Sequence, residues 1–175
     1  MLDLLLTNAR VYAPEDLGTV SIGIRDGKIV SIGDASEPSH RTIDCGSMTL
    51  LPGAIETHAH MLLPFCGTRT MNDFFDGTVA GAFGGVTTLI DFADQIQGGS
   101  ALAAYQARLE QAKDSVFDYS FHVTLTDIHE QTMREAEELI ARGVTSFKFY
   151  TAYSAGGLYV PPDDMERIFS LLAEH

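Results

Sequence analysis

His58 and His60 stand two residues apart in PGAIETHAH (residues 52–60), and an imidazole pair at this spacing is a candidate for holding one metal ion. If residues 54–58 form a strand, side chains i and i+2 share a face and both rings can meet at one point. Imidazole suits Zn, Mn, Fe or Ni, so the pair does not name its metal. A bare His-x-His also arises by chance on a strand, and it is the flanking residues that argue against chance here. Lys148, in TSFKFYTAY (145–153), is the next candidate. Between Phe147 and Phe149 an inward-facing amine is desolvated, which favours its neutral, reactive form. The local sequence alone leans the other way, toward a lysine whose stem covers apolar surface while its ammonium reaches water. Tyr153, five residues on, reads either as a hydroxyl donor in a site or as an ordinary loop aromatic.

The elements that must position these residues fall in two groups. Residues 1–50 read as short strands, with segments 20–25 and 28–33 flanking Asp26-Gly27, a hairpin signal, and 42–44 and 48–51 continuing the pattern. After Pro52-Gly53 strands and helices alternate. Strands are expected over 54–58, 86–92, 121–126 and 144–150. Helices are expected over 73–83, from Ser100 as N-cap to about 113, over 129–142 closed by Gly143, and from about Asp163. Four strand–helix units in succession imply a parallel sheet with right-handed crossovers. Such units belong to an open doubly wound sheet or to half of an eight-unit barrel. The order of the motifs favours the barrel, and His58 and His60 then fall at the C-terminal end of its first strand, where barrel active sites lie. The expected architecture is α/β: residues 1–51 are part of a small β-sandwich domain and residues 52–175 the first four units of a (β/α)8 TIM-type barrel. A complete barrel takes about 250 residues, and a half barrel leaves two unpaired edges. The chain is therefore expected to be truncated, or one piece of a longer product.

Composition narrows the partners. Of 175 residues 45% are hydrophobic, enough for a packed core, and 24 acidic against 11 basic side chains give a formal charge of −13. That sign repels phosphate backbones, so no nucleic-acid partner is expected. Cys45 and Cys66 are the two cysteines, the N-terminus lacks a basic leader, and no apolar run is long enough for a membrane span. A cytoplasmic protein with no membrane partner is expected.

PGAIETHAHMLLPFCGTRTMNDFFDGTVAGAFGGVTTLIDF, followed by SFKFYTAY, closely resembles the dihydropyrimidinase and D-hydantoinase branch of the amidohydrolase superfamily. The His pair, the PF-x-GT loop, the GGVTT turn and the lysine segment occur in that family's order, and the resemblance covers essentially the whole chain. It implies that His58 and His60 bind the first of two divalent ions, Zn or Mn. It implies that Lys148 captures CO₂ as a carbamate bridging both ions, and that Tyr153 donates a hydrogen bond to the substrate carbonyl as this becomes an oxyanion. The implied reaction opens a cyclic amide, a dihydropyrimidine or a 5-substituted hydantoin, to an N-carbamoyl amino acid, by attack of a metal-bridging hydroxide. The family's two further histidines and its proton-shuttling aspartate lie on later strands, so residues 1–175 alone are expected to be inactive. Leu63, Phe65 and Tyr150, with Met61, Leu62 and Tyr159, fall on loops that the family uses to shape its substrate pocket. A homo-oligomer, a tetramer by resemblance, is implied as well.

Glu56 stands where the family usually has Asp, and Ala54 replaces a common Gly. Tyr153 argues against an allantoinase, and Leu62 stands where dihydroorotases usually carry an arginine. His58, His60 and Lys148 together argue against the metal-free scaffolding relatives. Asp91 reads evenly as a site residue or as a turn or cap. His122 reads as a hydrogen-bonded core histidine, and His40, His129 and His175 as surface residues. Cys66, with no partner cysteine nearby, is not read as a ligand.

Overall fold

The computed structural model describes residues 1–34, 36–65 and 67–175; Cys66 and the side chain of Phe65 lie outside the described residues, and with them the readings made of both. The chain divides into two compact units, Met1–Pro52 and Gly53–His175.

The first unit is one five-stranded sheet built around β1 (Leu2–Tyr12). β2 (Asp16–Arg25) pairs antiparallel with β1, and β3 (Lys28–Gly33) pairs antiparallel with β2. β4 (Ser39–Asp44) and β5 (Thr49–Leu50) run parallel to successive stretches of β1. Asp26 and Gly27 close the β2–β3 hairpin with φ of 52° and 69°. Two left-handed residues in a two-residue loop match the twist of the flanking strands, which is why Asp-Gly marks this turn. Ala9, Val11, Ile22 and Cys45 are buried together, while β3 exposes Ile29, Val30 and Ile32.

The second unit holds a parallel sheet in the order β11-β10-β9-β6. β6 is Ala54–Glu56, β9 Val86–Asp94, β10 Asp118–Thr124 and β11 Phe147–Lys148. Among the described residues spatial order follows chain order without reversal, as a barrel requires and unlike a doubly wound sheet, whose strand order reverses at a switch point. Between β6 and β9 lie the hairpin of β7 (Pro64–Phe65) with β8 (Thr68–Arg69) and then α1 (Phe74–Phe83). α2 (Ala101–Gln111), α3 (Glu130–Ala141) and α4 (Pro162–Leu172) complete the units. Ser100 caps α2 as expected, its Oγ accepting from the Ala103 N–H at 2.9 Å. At α3 an imidazole takes the role, with His129 Nδ1 accepting from the Thr132 N–H at 3.1 Å.

One face of this sheet carries the core. Leu89 and Ala93 of β9 and Phe121 and Val123 of β10 pack with Phe74, Ala101, Ala136, Leu139 and Ile168 of the helices. Because successive strand residues face opposite ways, Phe92, His122 and Lys148 project from the other face.

Two strands are shorter than the sequence implies. The strand expected over 54–58 ends at Glu56, because Glu56 Oε1 takes the His58 N–H at 2.8 Å and His122 Nε2 takes the Thr57 carbonyl at 3.0 Å. Both groups are thereby withdrawn from the ladder. The strand expected over 144–150 pairs only at Phe147–Lys148, against β10. Tyr150 forms instead an isolated bridge with Tyr159.

Candidate functional site

His58 and His60 lie just beyond β6, in the loop rather than on the strand, so strand alternation is not what brings them together. Their common surface is the ring of Phe92, which is 3% exposed. The His58 centroid is 4.6 Å from that ring and the His60 centroid 4.4 Å, the imidazoles themselves being 5.3 Å apart. Lys148 Nζ sits over the same ring, 4.0 Å from its centroid and 4.7 Å from that of Tyr150. The outward-pointing reading of Lys148 therefore does not hold. Its neighbour Phe147 packs against the helix-side core, and alternation sends Lys148 to the face of the histidines.

His122 joins this cluster, its ring 4.9 Å from Phe92. Its Nε2 faces the Thr57 carbonyl at 3.0 Å and its Nδ1 the Ser146 hydroxyl at 2.6 Å. A carbonyl only accepts, so Nε2 carries the proton and Nδ1 accepts from Ser146 in the neutral ring. Both nitrogens are used, and His122 ties β10 to the loop after β6 and to the residue before β11, the hydrogen-bonded role that its sequence suggests.

Tyr153 takes a left-handed backbone conformation, φ 66°, and is 68% exposed. Its ring meets Tyr150 edge-on at 5.9 Å, so it connects to the cluster through Tyr150 and Lys148. Leu63 is half-buried, its N–H donating to Thr70 Oγ1 at 2.8 Å, and the same hydroxyl donates to the His60 carbonyl at 3.0 Å. Asp91 does not line the cluster. It is wholly buried on the helix side and paired with Arg108 at 2.7 Å.

His60 Nδ1 is buried and makes no hydrogen bond among the described residues, an arrangement that costs free energy for a polar atom with no other partner. Burial first, and then the Lys148 charge, hold the His60 imidazole below its ordinary 6.5 against the opposing pull of Asp91 and Asp94. The neutral ring has a lone pair to give. Two neighbouring imidazoles are donors that a borderline divalent cation such as Zn²⁺ accepts, and among the described residues no third His, Cys, Asp or Glu joins them as a ligand group.

The chain is 37% identical over 175 residues to the dihydropyrimidinase of Dictyostelium discoideum, covering 98% of this chain and 35% of that one. It is 35% identical over 154 residues to the D-hydantoinase of Ralstonia pickettii, covering 87% of this chain and 34% of that one. A solved D-hydantoinase superposes with a TM-score of 0.93 at 31% identity over 99% of this chain and 38% of that chain. The dihydropyrimidinase of Brevibacillus agri NCHU1002 superposes at 0.91 with 32% identity over 97% of this chain and 37% of that chain. The chain belongs to the dihydropyrimidinase and D-hydantoinase family. It spans about a third of the length of the curated relatives it matches. No family model matches it.

The Glu56 side chain turns back on its own strand end to hold the His58 N–H. Among the described residues no helix is long and apolar enough to cross a membrane. Sequence reasoning missed Phe92 and Arg108. Phe92 reads as one more apolar residue in VTTLIDF and carries no separate signal. Arg108 does carry one: it falls on the stripe of Ala101, Tyr105 and Ala112, and a charge on the apolar face of a helix implies a buried partner.

Proposed function

We propose that this chain supplies the first metal-binding half of a hydrolase that opens a cyclic amide, a dihydropyrimidine or 5-substituted hydantoin, to an N-carbamoyl amino acid. The observation that carries this reading is the convergence of His58, His60 and Lys148 on Phe92, with His60 Nδ1 buried and unpartnered. Family membership supports it, since the relatives are named for that chemistry.

His58 and His60 would hold one divalent ion, Zn²⁺ or Mn²⁺, and Lys148 would serve two. Lys148 would do so as a carbamate: its amine, once deprotonated, can add CO₂ with loss of one further proton, and the product is an anionic oxygen ligand. When bound, the ions supply Lewis-acid polarisation of the ring carbonyl and a nucleophile at neutral pH. The chain's own residues position and select. Phe92 gives the two imidazoles and the lysine stem a common apolar backing and excludes water from one side. Tyr153 is the donor for the substrate carbonyl as negative charge develops on it, its exposed hydroxyl standing on the loop five residues beyond Lys148. Leu63 and Tyr150 would shape the pocket.

In the same reading residues 52–175 are the first half of an eight-unit barrel, residues 1–51 contribute strands to a small β-sandwich, and the whole protein is a homo-oligomer, a tetramer by resemblance. Steady-state assays of the whole protein on dihydrouracil, 5-substituted hydantoins, allantoin and dihydroorotate test the assignment. Turnover of either of the first two is expected; preference for allantoin or dihydroorotate would overturn it.

A further inference from the structure

The residue after His60 has both backbone polar groups held by one buried ion pair. The Met61 N–H donates to Asp91 Oδ2 at 2.9 Å, and the Met61 carbonyl accepts from Arg108 Nη2 at 2.5 Å. The same Nη2 donates to Asp91 Oδ1 at 2.7 Å. Asp91 also takes the N–H of Phe92, the residue whose ring stacks on His60. Arg108 is anchored in turn, Nη1 donating to Gln111 Oε1 at 2.7 Å and the guanidinium lying 4.8 Å from the centroid of Phe74. The side chains of Asp91 and Arg108 are 0% and 10% exposed.

A buried ion pair is in general weak support for stability, because desolvation offsets most of the attraction. An apolar pair of similar volume on β9 and α2 would fill the same space. It could not grip the peptide after His60. We propose that Asp91 and Arg108 are positioning residues for His60, which fix the loop beyond β6 so that the imidazole meets Phe92 and presents its unpartnered nitrogen to a metal. The metal half of this proposal rests on the reading of His60 as a ligand; the placement half does not. Groups that orient a metal ligand typically change metal affinity about 10–100-fold when removed.

The test uses the purified chain and two readouts. One is the ring-current shift that Phe92 imposes on the His60 ring protons, assigned with His60→Gln and measured without metal. The other is Zn²⁺ affinity by calorimetry. Asp91→Leu/Arg108→Met removes the clamp without stranding a buried charge. With far-UV circular dichroism unchanged, it is expected to lose the His60 ring-current shift and to bind Zn²⁺ about 10–100-fold more weakly. A folded double variant with the wild-type shift and wild-type affinity would overturn the proposal. If the double variant does not fold, Arg108→Lys decides by the same signals, since one shorter amine cannot reach Asp91, Gln111 and the Met61 carbonyl together. A reduced shift supports the clamp, and an unchanged shift overturns it. Failure of the ligand reading looks different: the wild-type chain would show the shift and bind no Zn²⁺.

Discussion

The imidazole of His60 stacks on the phenyl ring of Phe92 with centroids 4.4 Å apart and planes inclined by 23°. The two other candidate groups, His58 and Lys148, and the hydrogen-bonded His122 rest on the same ring, so one apolar side chain gathers the polar cluster. Phe92→Ala should cost about 3–5 kcal/mol of stability, as large-to-small changes of a buried aromatic do. It should also weaken Zn²⁺ binding, whereas Phe92→Leu should retain much of both. Urea unfolding and calorimetric titration would check the pair of variants.

His60 predicts a direction for pH dependence. Its imidazole is held below 6.5, chiefly by burial. Between its folded value and 6.5 the unfolded chain binds more protons, so this group's contribution to stability is lost as pH falls below 6.5 and is fully present above it. An NMR titration of the His60 ring protons should give a midpoint below 6.5, and His60→Gln should flatten the pH dependence of the urea midpoint in that window.

Lys148 should make metal binding sensitive to bicarbonate. Added bicarbonate is expected to strengthen Zn²⁺ binding by the wild-type chain and to leave Lys148→Ala unaffected. Carbon-13 NMR with labelled bicarbonate should show a carbamate signal that the variant lacks. In the whole protein Lys148→Ala should lose most of the activity and part of the metal; near-normal turnover at full occupancy would leave Lys148 a structural residue.

Ser100 and Glu135 form a second testable unit on α2 and α3. Ser100 Oγ caps α2 and donates to Glu135 Oε1 at 2.7 Å. Burial raises the Glu135 carboxyl most, but hydrogen bonds from Gln131, Ser100 and the Leu102 and Ala101 N–H groups together exceed it and hold it below 4.5. The stability this supplies is present above 4.5 and lost as pH falls through the folded value. Ser100→Ala should cost about 1 kcal/mol through the lost cap, with a smaller loss below 4.5 than at neutral pH. Thermal melts at both pH values would measure it.

Gly53 approaches β9 too closely for any side chain. A Cβ there would lie 2.0 Å from Thr87 Oγ1 and 2.6 Å from Thr87 Cβ, so the stem of Thr87 itself blocks it. Gly53→Ala should therefore push β6 from β9, destabilise the chain by about 1–3 kcal/mol, and shift the NMR signals of His58. Gly53→Ala combined with Thr87→Ala should recover part of the loss.

What the sequence by itself determines here is local and periodic. The Asp26-Gly27 turn, the Ser100 cap and the strand–helix alternation follow from backbone preferences and burial patterns that neighbouring residues set. Family membership is legible because the His pair, the lysine segment and the glycine turns keep their order along the chain. The sequence also marks His58, His60 and Lys148 as candidates, but for the histidines by a strand argument that the fold does not use. Only the tertiary structure decides that β6 stops at Glu56, where one carboxylate and one imidazole take the groups a ladder would have needed. It alone turns Lys148 inward, since the direction of a side chain depends on which neighbour the helices bury. Asp91, midway between site and cap on sequence grounds, becomes the partner of Arg108 across 17 positions of chain. Contacts of that kind depend on packing between distant segments, and local residue patterns do not encode them.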